Sequence, residues 1–185
     1  MLTPILIALA VIVVLFVVIV AMRPSEFHVS RSLAMAAPAE TIFTQVDTLR
    51  NWEAWNPWGK LDPNCKMTYE GPPSEVGASY SWIGNAKVGE GRSTIVDSKP
   101  AEMVRFRLEF FKPMKATNAA EFTFKPGGSK TTVTWTMTGK HNFVGKAFGL
   151  IINCDKMISG QFDKGLADMK VAAESAAGKP SAMVA

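Results

Sequence analysis

From Thr132 to Thr138 the chain alternates without a break. Val133, Trp135 and Met137 are large and apolar, while Thr132, Thr134, Thr136 and Thr138 are small and polar. Successive side chains of a strand point to opposite faces, so this segment predicts a strand with one buried and one wet face. Val104, Phe106, Leu108 and Phe110 repeat the pattern, opposed by Arg105, Arg107 and Glu109. Two-faced strands of this kind pair into an antiparallel sheet, and the sheet must find an apolar element to cover its inner face.

Other segments extend the sheet. Glu26 to Ala34 predicts a first strand, with Phe27, Val29 and Leu33 in alternation. Six more are expected at Lys66–Glu70, Ala78–Ile83, Gly89–Ser98, Glu102–Phe111, Asn118–Lys125 and Lys130–Gly139. They are separated by Gly71-Pro72-Pro73, Gly84-Asn85, Lys99-Pro100 and a hairpin turn at Pro126-Gly127-Gly128-Ser129. After the first strand, Pro38-Ala39-Glu40 opens a helix with an apolar stripe of Ile42, Phe43, Val46 and Leu49.

The cover for the sheet is one long helix, expected over residues 143–173. Val144, Phe148, Ile151, Ile152, Ile158, Phe162, Leu166 and Met169 recur at helical spacing. Gly145, Gly149, Gly160 and Gly165 interrupt it, each at a cost of about 1 kcal/mol. Close approach to the sheet, or room for a ligand, would explain them. The fold class is therefore α+β: a curved antiparallel sheet wrapped around a long C-terminal helix. Residues 26–174 form its one domain, and residues 175–185, which lack periodicity, are expected to be a disordered tail.

Residues 1–23 stand apart. Met1 to Met22 holds no charged residue, and Ile5 to Met22 is almost wholly aliphatic. About 20 such residues span a hydrocarbon core of roughly 30 Å. No basic residue precedes the run, and the one tidy small-x-small site, Ala34-Met35-Ala36, lies well beyond it. An uncleaved single-pass anchor is expected rather than a signal peptide. Arg23, Arg31 and Arg50 follow the span, which predicts a cytoplasmic domain on a membrane-bound chain.

Charge and chemistry exclude more than they assign. The net charge is +4, with Lys and Arg scattered singly, so no nucleic-acid groove is expected. Cys65 and Cys154 form no metal motif or disulfide framework, and no cluster of His, Cys and carboxylates has metal-ligand spacing. Gly89-Glu90-Gly91 lacks the rest of a nucleotide-binding loop, so no cofactor is expected. His28 alternates out of phase with Phe27 and Val29 and points to solvent. His141 lies in a turn as a surface or capping residue. Asp62 and Asp97 sit beside turn residues, where aspartate bonds its own backbone. Asp155 falls among Ile151, Ile152 and Ile158, where it either faces the interior as an acid–base group or pairs at the helix flank.

Three tryptophans crowd into Asn51-Trp52-Glu53-Ala54-Trp55-Asn56-Pro57-Trp58. Their spacing places them near one face of a short second helix that Pro57 stops. Such a cluster either plugs a core or walls an apolar pocket, and nothing in it is reactive.

These words, with Leu61-Asp62-Pro63-Asn64, Tyr69-Glu70-Gly71, Trp82-Ile83-Gly84-Asn85, Val88-Gly89-Glu90-Gly91, Thr131-Thr132-Val133-Thr134-Trp135 and residues 162–170, resemble the START-like (SRPBCC) superfamily, in its polyketide cyclase/dehydrase-like branch. The likeness covers about residues 26–174. It implies a helix-grip fold with an apolar cavity between sheet and C-terminal helix, gated near the Trp cluster. Trp52, Trp55, Trp58, Trp82, Phe106, Phe110, Trp135, Met137, Phe148, Ile152 and Phe162 are the candidate lining, and each fits a solid core as well as a pocket wall. The implied function is a membrane-anchored binding protein for a lipid, isoprenoid or polyketide-like molecule. The alternatives are a cyclase/dehydrase-like enzyme using Asp155, and a protein-interaction module with a filled core.

Overall fold

The computed structural model describes residues 2–151 and 154–178. Seven strands form one sheet: β1 (Glu26–Met35), β2 (Lys66–Glu70), β3 (Ser79–Ile83), β4 (Glu90–Lys99), β5 (Met103–Lys112), β6 (Ala116–Gly127) and β7 (Lys130–Lys140). Their spatial order is β1-β7-β6-β5-β4-β3-β2, with every neighbouring pair antiparallel. The helices are α1 (Leu2–Met22), α2 (Ala39–Asp47), α3 (Trp52–Trp55), α4 (Phe143–Ile151) and α5 (Cys154–Ala177).

The alternation in sequence sets the two faces. Val29, Val104, Phe106, Ala120, Phe122, Phe124, Val133, Trp135 and Met137 all point inward and are buried. Opposite them, the outer face is laced with ion pairs: Arg92 with Glu70, Arg105 with Glu121 at 2.7 Å, and Arg107 with Glu109 at 3.4 Å. Exposed pairs of this kind contribute about 0–1 kcal/mol each. The wet face is therefore solvated, and stability comes from the inner one.

On that inner face α5 lays Phe162, Leu166 and Met169, all fully buried. Burying a side chain of that size stabilises by roughly 1.5–3 kcal/mol. Gly165 lets the helix come in close. A Cβ there would sit 2.8 Å from the Trp135 ring and 3.0 Å from Pro57. Asp47, the last residue of α2, is buried and ties down the end of β4 and the β2–β3 loop. It accepts hydrogen bonds from the Ser98 hydroxyl (2.6 Å) and the Glu75 backbone N–H (3.1 Å).

Several expectations need correction. The β6–β7 turn is tighter than the sequence suggested, because Pro126 and Gly127 already pair with Thr131 and Lys130. Only Gly128 and Ser129 remain between the strands, with Gly128 at φ 64°. Helix α5 runs to Ala177, past the expected end at residue 173, and the Gly178 N–H bonds the Glu174 carbonyl. Alanine is the best helix former, so a helix outlasts its apolar periodicity where no core contact is needed. The tail from residue 179 onward and Ile152 lie outside the described residues.

The greatest departure is α4. Its Val144 and Phe148 were expected to face the sheet, yet each is about half exposed, as is Phe143. Its helical neighbour is α1. Lys146 Nζ reaches the Ala21 carbonyl at 3.5 Å, and the His141 N–H donates to the Ser25 carbonyl at 2.7 Å. Tryptophan rings fill the inner face beneath α5, and α4 lies against α1. Helix α1 is itself long and apolar enough to cross a membrane.

Candidate ligand-binding site

The Trp cluster and the sheet meet at Trp135. Helix α3 holds only Trp52 and Trp55, and Trp58 lies past Asn56-Pro57. One helix face therefore does not align the three rings, as the spacing had suggested. They converge all the same, with centroids 6.4, 5.8 and 5.5 Å from that of Trp135. Phe162 stacks flat on Trp135 at 4.1 Å, and Phe122 stacks against it at 4.7 Å. Phe106 meets Trp52 edge-on at 5.2 Å. Offset and edge-to-face contacts of this kind add about 0.5–1.5 kcal/mol per pair beyond the area buried.

Most indole N–H groups in this cluster have partners. Trp52 Nε1 donates to the Val46 carbonyl at 2.8 Å and Trp55 Nε1 to the Gln45 carbonyl at 3.0 Å. Trp82 Nε1 donates to the Val88 carbonyl at 3.2 Å. Trp135 Nε1 is buried without one. Beneath α5, then, the sheet is closely packed with rings, and one donor in the middle of them is unsatisfied.

The opposite end of the sheet is more open. Register carries the inner face outward along β7 from Trp135 through Met137 to Gly139, which pairs with Phe27. On β5 and β6, Leu108 pairs with Asn118 and Phe110 with Ala116, and all four are half-buried. Trp82 packs edge-on against Phe110 at 5.7 Å. A cleft of about 450 Å³ lies along the β5–β6 hairpin beside this end, lined by Glu109, Phe110, Phe111, Lys115, Ala116 and Thr117, with Asn118 outside its lining. That volume lies within the range of small-molecule sites. A second cleft, of about 200 Å³, lies on the far side against Arg50, Tyr69 and Glu70.

Asn118 is the polar exception on this apolar end. Its carboxamide oxygen is buried and has no hydrogen-bond partner. It lies over Gly139, where any Cβ would overlap both the carboxamide and the Phe27 ring. An unsatisfied buried acceptor costs about 1–3 kcal/mol. The sequence carried a signal for it: Asn118 is in phase with inward Ala120, Phe122 and Phe124, so a polar residue stands in an apolar row.

The remaining candidates lie apart from one another. Phe148 is on the exposed side of α4. Asp155 is exposed on the first turn of α5, which removes the burial that an acid–base role at this position required. His28 is exposed, and His141 stacks on Phe27 at 4.8 Å. Cys65 and Cys154 are free thiols, and burial pushes the Cys65 thiol up. Asp62 does bond its own turn, at the Asn64 N–H (3.1 Å). It also accepts from the Asn85 N–H (2.6 Å), which links two loops. Among the described residues no cluster could hold a metal ion.

Two tyrosines stand out electrostatically. Tyr80 is buried at the rim of the Trp cluster, and desolvation holds its phenol protonated far above the usual range. The Tyr69 phenol is pushed up to about 12, first by burial and then by its 2.8 Å hydrogen bond to Glu53. Arg50 lies over the Tyr69 ring at 4.6 Å. Both tyrosines are neutral donors at physiological pH, suited to holding structure in place.

Comparison with known proteins agrees with this architecture. Residues 26–174 match the family described as polyketide cyclase / dehydrase and lipid transport. The chain belongs to that family. No curated protein matches the sequence. Among solved structures, the di-domain ARO/CYC StfQ from the steffimycin biosynthetic pathway superposes with a TM-score of 0.58 or better, at 0.60, with 14% identity over 84% of this chain and 53% of that one. Protein CV1439 from Chromobacterium violaceum gives 0.58 at 13% identity over 82% and 99%. Major latex-like protein 151 from Panax ginseng gives 0.54 at 12% identity over 80% and 98%. At such identities the likeness establishes the helix-grip, START-like fold of this family and nothing finer.

Proposed function

We propose that this protein is a membrane-anchored binding protein for a hydrophobic small molecule such as a lipid, an isoprenoid or a polyketide-like compound. The observation that carries the reading is Asn118, whose carboxamide oxygen is buried and unpartnered at the apolar end of the sheet. A binding pocket combines apolar walls with a few convergent polar groups, and Asn118 supplies the polar group. Phe110, Met137, Trp82 and Phe148 border that end. Trp52, Trp55, Trp58, Phe106, Trp135 and Phe162 form its floor and back wall. Each 100 Å² or so of apolar ligand surface taken from water contributes roughly 2.5 kcal/mol. A ligand hydroxyl donating to Asn118 Oδ1 fixes its orientation.

The anchor reading rests on α1, and Arg23, Arg31 and Arg50 favour a cytoplasmic domain. The test is to extract the full chain from its native membranes and examine it by native mass spectrometry, followed by solvent extraction. A stoichiometric apolar molecule that is lost in Asn118→Leu supports the reading. A protein that is empty in every preparation counts against it. That outcome favours the interaction-module reading, for which the close ring packing around Trp135 is the supporting observation.

A further inference from the structure

Among the described residues after α1, Val76, Ile83, Val96, Met157 and Val171 are exposed apolar residues placed singly, whereas two groups stand together. Phe143, Val144 and Phe148 on α4 are 48%, 47% and 51% exposed, and Phe111 and Met114 at the β5–β6 hairpin are 48% and 40% exposed. Both groups lie at the end of the sheet where β1 begins, where β7 ends and where α1 joins. Val144 and Phe148 are four residues apart and so share one side of α4. Lys146, two positions from each, turns the other way, to the Ala21 carbonyl. That contact sets α4 level with the last residues of the apolar run. The His141–Ser25 hydrogen bond holds the start of α4 to the chain just after it.

A helix at that height meets the boundary between headgroups and acyl chains. Its composition fits such a place, since α4 carries Phe, Val, Leu and Ile with Lys146 as its one charge. Short interfacial helices bury an apolar side about 5–10 Å into this boundary and keep lysines toward the headgroups. At the hairpin, Lys115 adjoins Met114, while Lys112 pairs with Glu90 at 2.7 Å.

We propose that α4 and the β5–β6 hairpin tip are two membrane feet, seated in the bilayer that α1 crosses. The open end of the sheet is then held directly on the lipid surface. This rests on the anchor reading of α1. Seating the mouth on the bilayer makes the bilayer itself the source of the ligand, with no passage through bulk water.

The test uses the full chain, with Cys65→Ser and Cys154→Ser, reconstituted in phosphatidylcholine–phosphatidylglycerol vesicles. Nitroxide labels are placed singly at Phe148→Cys, Met114→Cys, Val171→Cys and Phe16→Cys. Collision with oxygen and with a water-soluble nickel chelate reports depth for each label. The expected result is a nickel accessibility at 148 and 114 at least about threefold below that at Val171, with oxygen accessibility raised. Val171 is 67% exposed on α5, away from α1, and serves as the aqueous reference. If Phe16 is lipid-shielded while 148 and 114 match Val171, the feet are refuted and the anchor stands. If Phe16 itself reports water, the anchor fails and the proposal falls with it.

Discussion

At the residue scale, Trp135 is the point on which the core closes, and Gly165 is what lets it close. Replacing Gly165 by valine forces new atoms against the Trp135 ring and Pro57. The expected loss is about 1–3 kcal/mol of stability, read as a lower denaturation midpoint in urea. Asn118 behaves in the opposite way. Asn118→Leu removes an unsatisfied acceptor, so stability should hold or rise while ligand retention falls about tenfold. A parallel loss of both would mean that Asn118 is merely structural. Tyr69 offers a pH test. Its folded pKa, about 12, lies above the ordinary phenol value of about 10, so the unfolded state releases the proton more readily than the native state does. Its contribution is complete below about pH 10 and is lost as pH rises through about 12. Tyr69→Phe should flatten that alkaline loss relative to the parent, with denaturation curves from about pH 9 to 12 as the measurement. Single residues of this kind were only half legible in sequence. The out-of-character Asn118 was visible as a polar residue in an inward row, but its lack of a partner depends on Gly139 and Phe27 from other strands.

At the element scale, the seven strands emerge nearly where alternation placed them, with ends shifting by one or two residues. A strand tests its pattern at every second side chain, so error accumulates only at the ends. Asp47 shows what alternation cannot supply. It closes α2 against the end of β4 and the β2–β3 loop, through Ser98 and the backbone of Glu75, which itself sits at φ 71°. Asp47→Ala should cost about 1–3 kcal/mol, measured by urea denaturation, because the Glu75 N–H and the Ser98 hydroxyl lose their acceptor in a buried place. The C-terminal helix was legible in its second half and misread in its first. Phe162, Leu166 and Met169 take the sheet, whereas Val144 and Phe148 do not. Helical periodicity reports that one side is apolar. It is silent about whether that side meets the sheet, another helix or lipid.

At the scale of the whole molecule, a sheet domain hangs from one apolar helix whose side chains from Ile5 to Ile19 are exposed along their length. Replacing Val13 by arginine places a charge near the centre of that helix, at a cost of about 2.5–3.5 kcal/mol on insertion scales. The expected outcome is a shift of the full chain from the carbonate-resistant membrane fraction toward the soluble one. Unchanged partition would remove the anchor. By itself the amino-acid order determined the local conformations and their faces: an apolar span, strands with a wet and a dry side, and a covering helix. Those follow from neighbours a few residues apart, where periodicity is a direct physical record of burial. Tertiary structure decided how the inner volume was shared. Two tryptophans from α3, Trp58 just after it, a fourth from β7 and the rings of Phe122 and Phe162 fill the space beneath α5. With that volume spent, α4 lies against α1 and the far end of the sheet stays open. Close packing is a contest among side chains remote in sequence, and its result is settled only when all of them are in place.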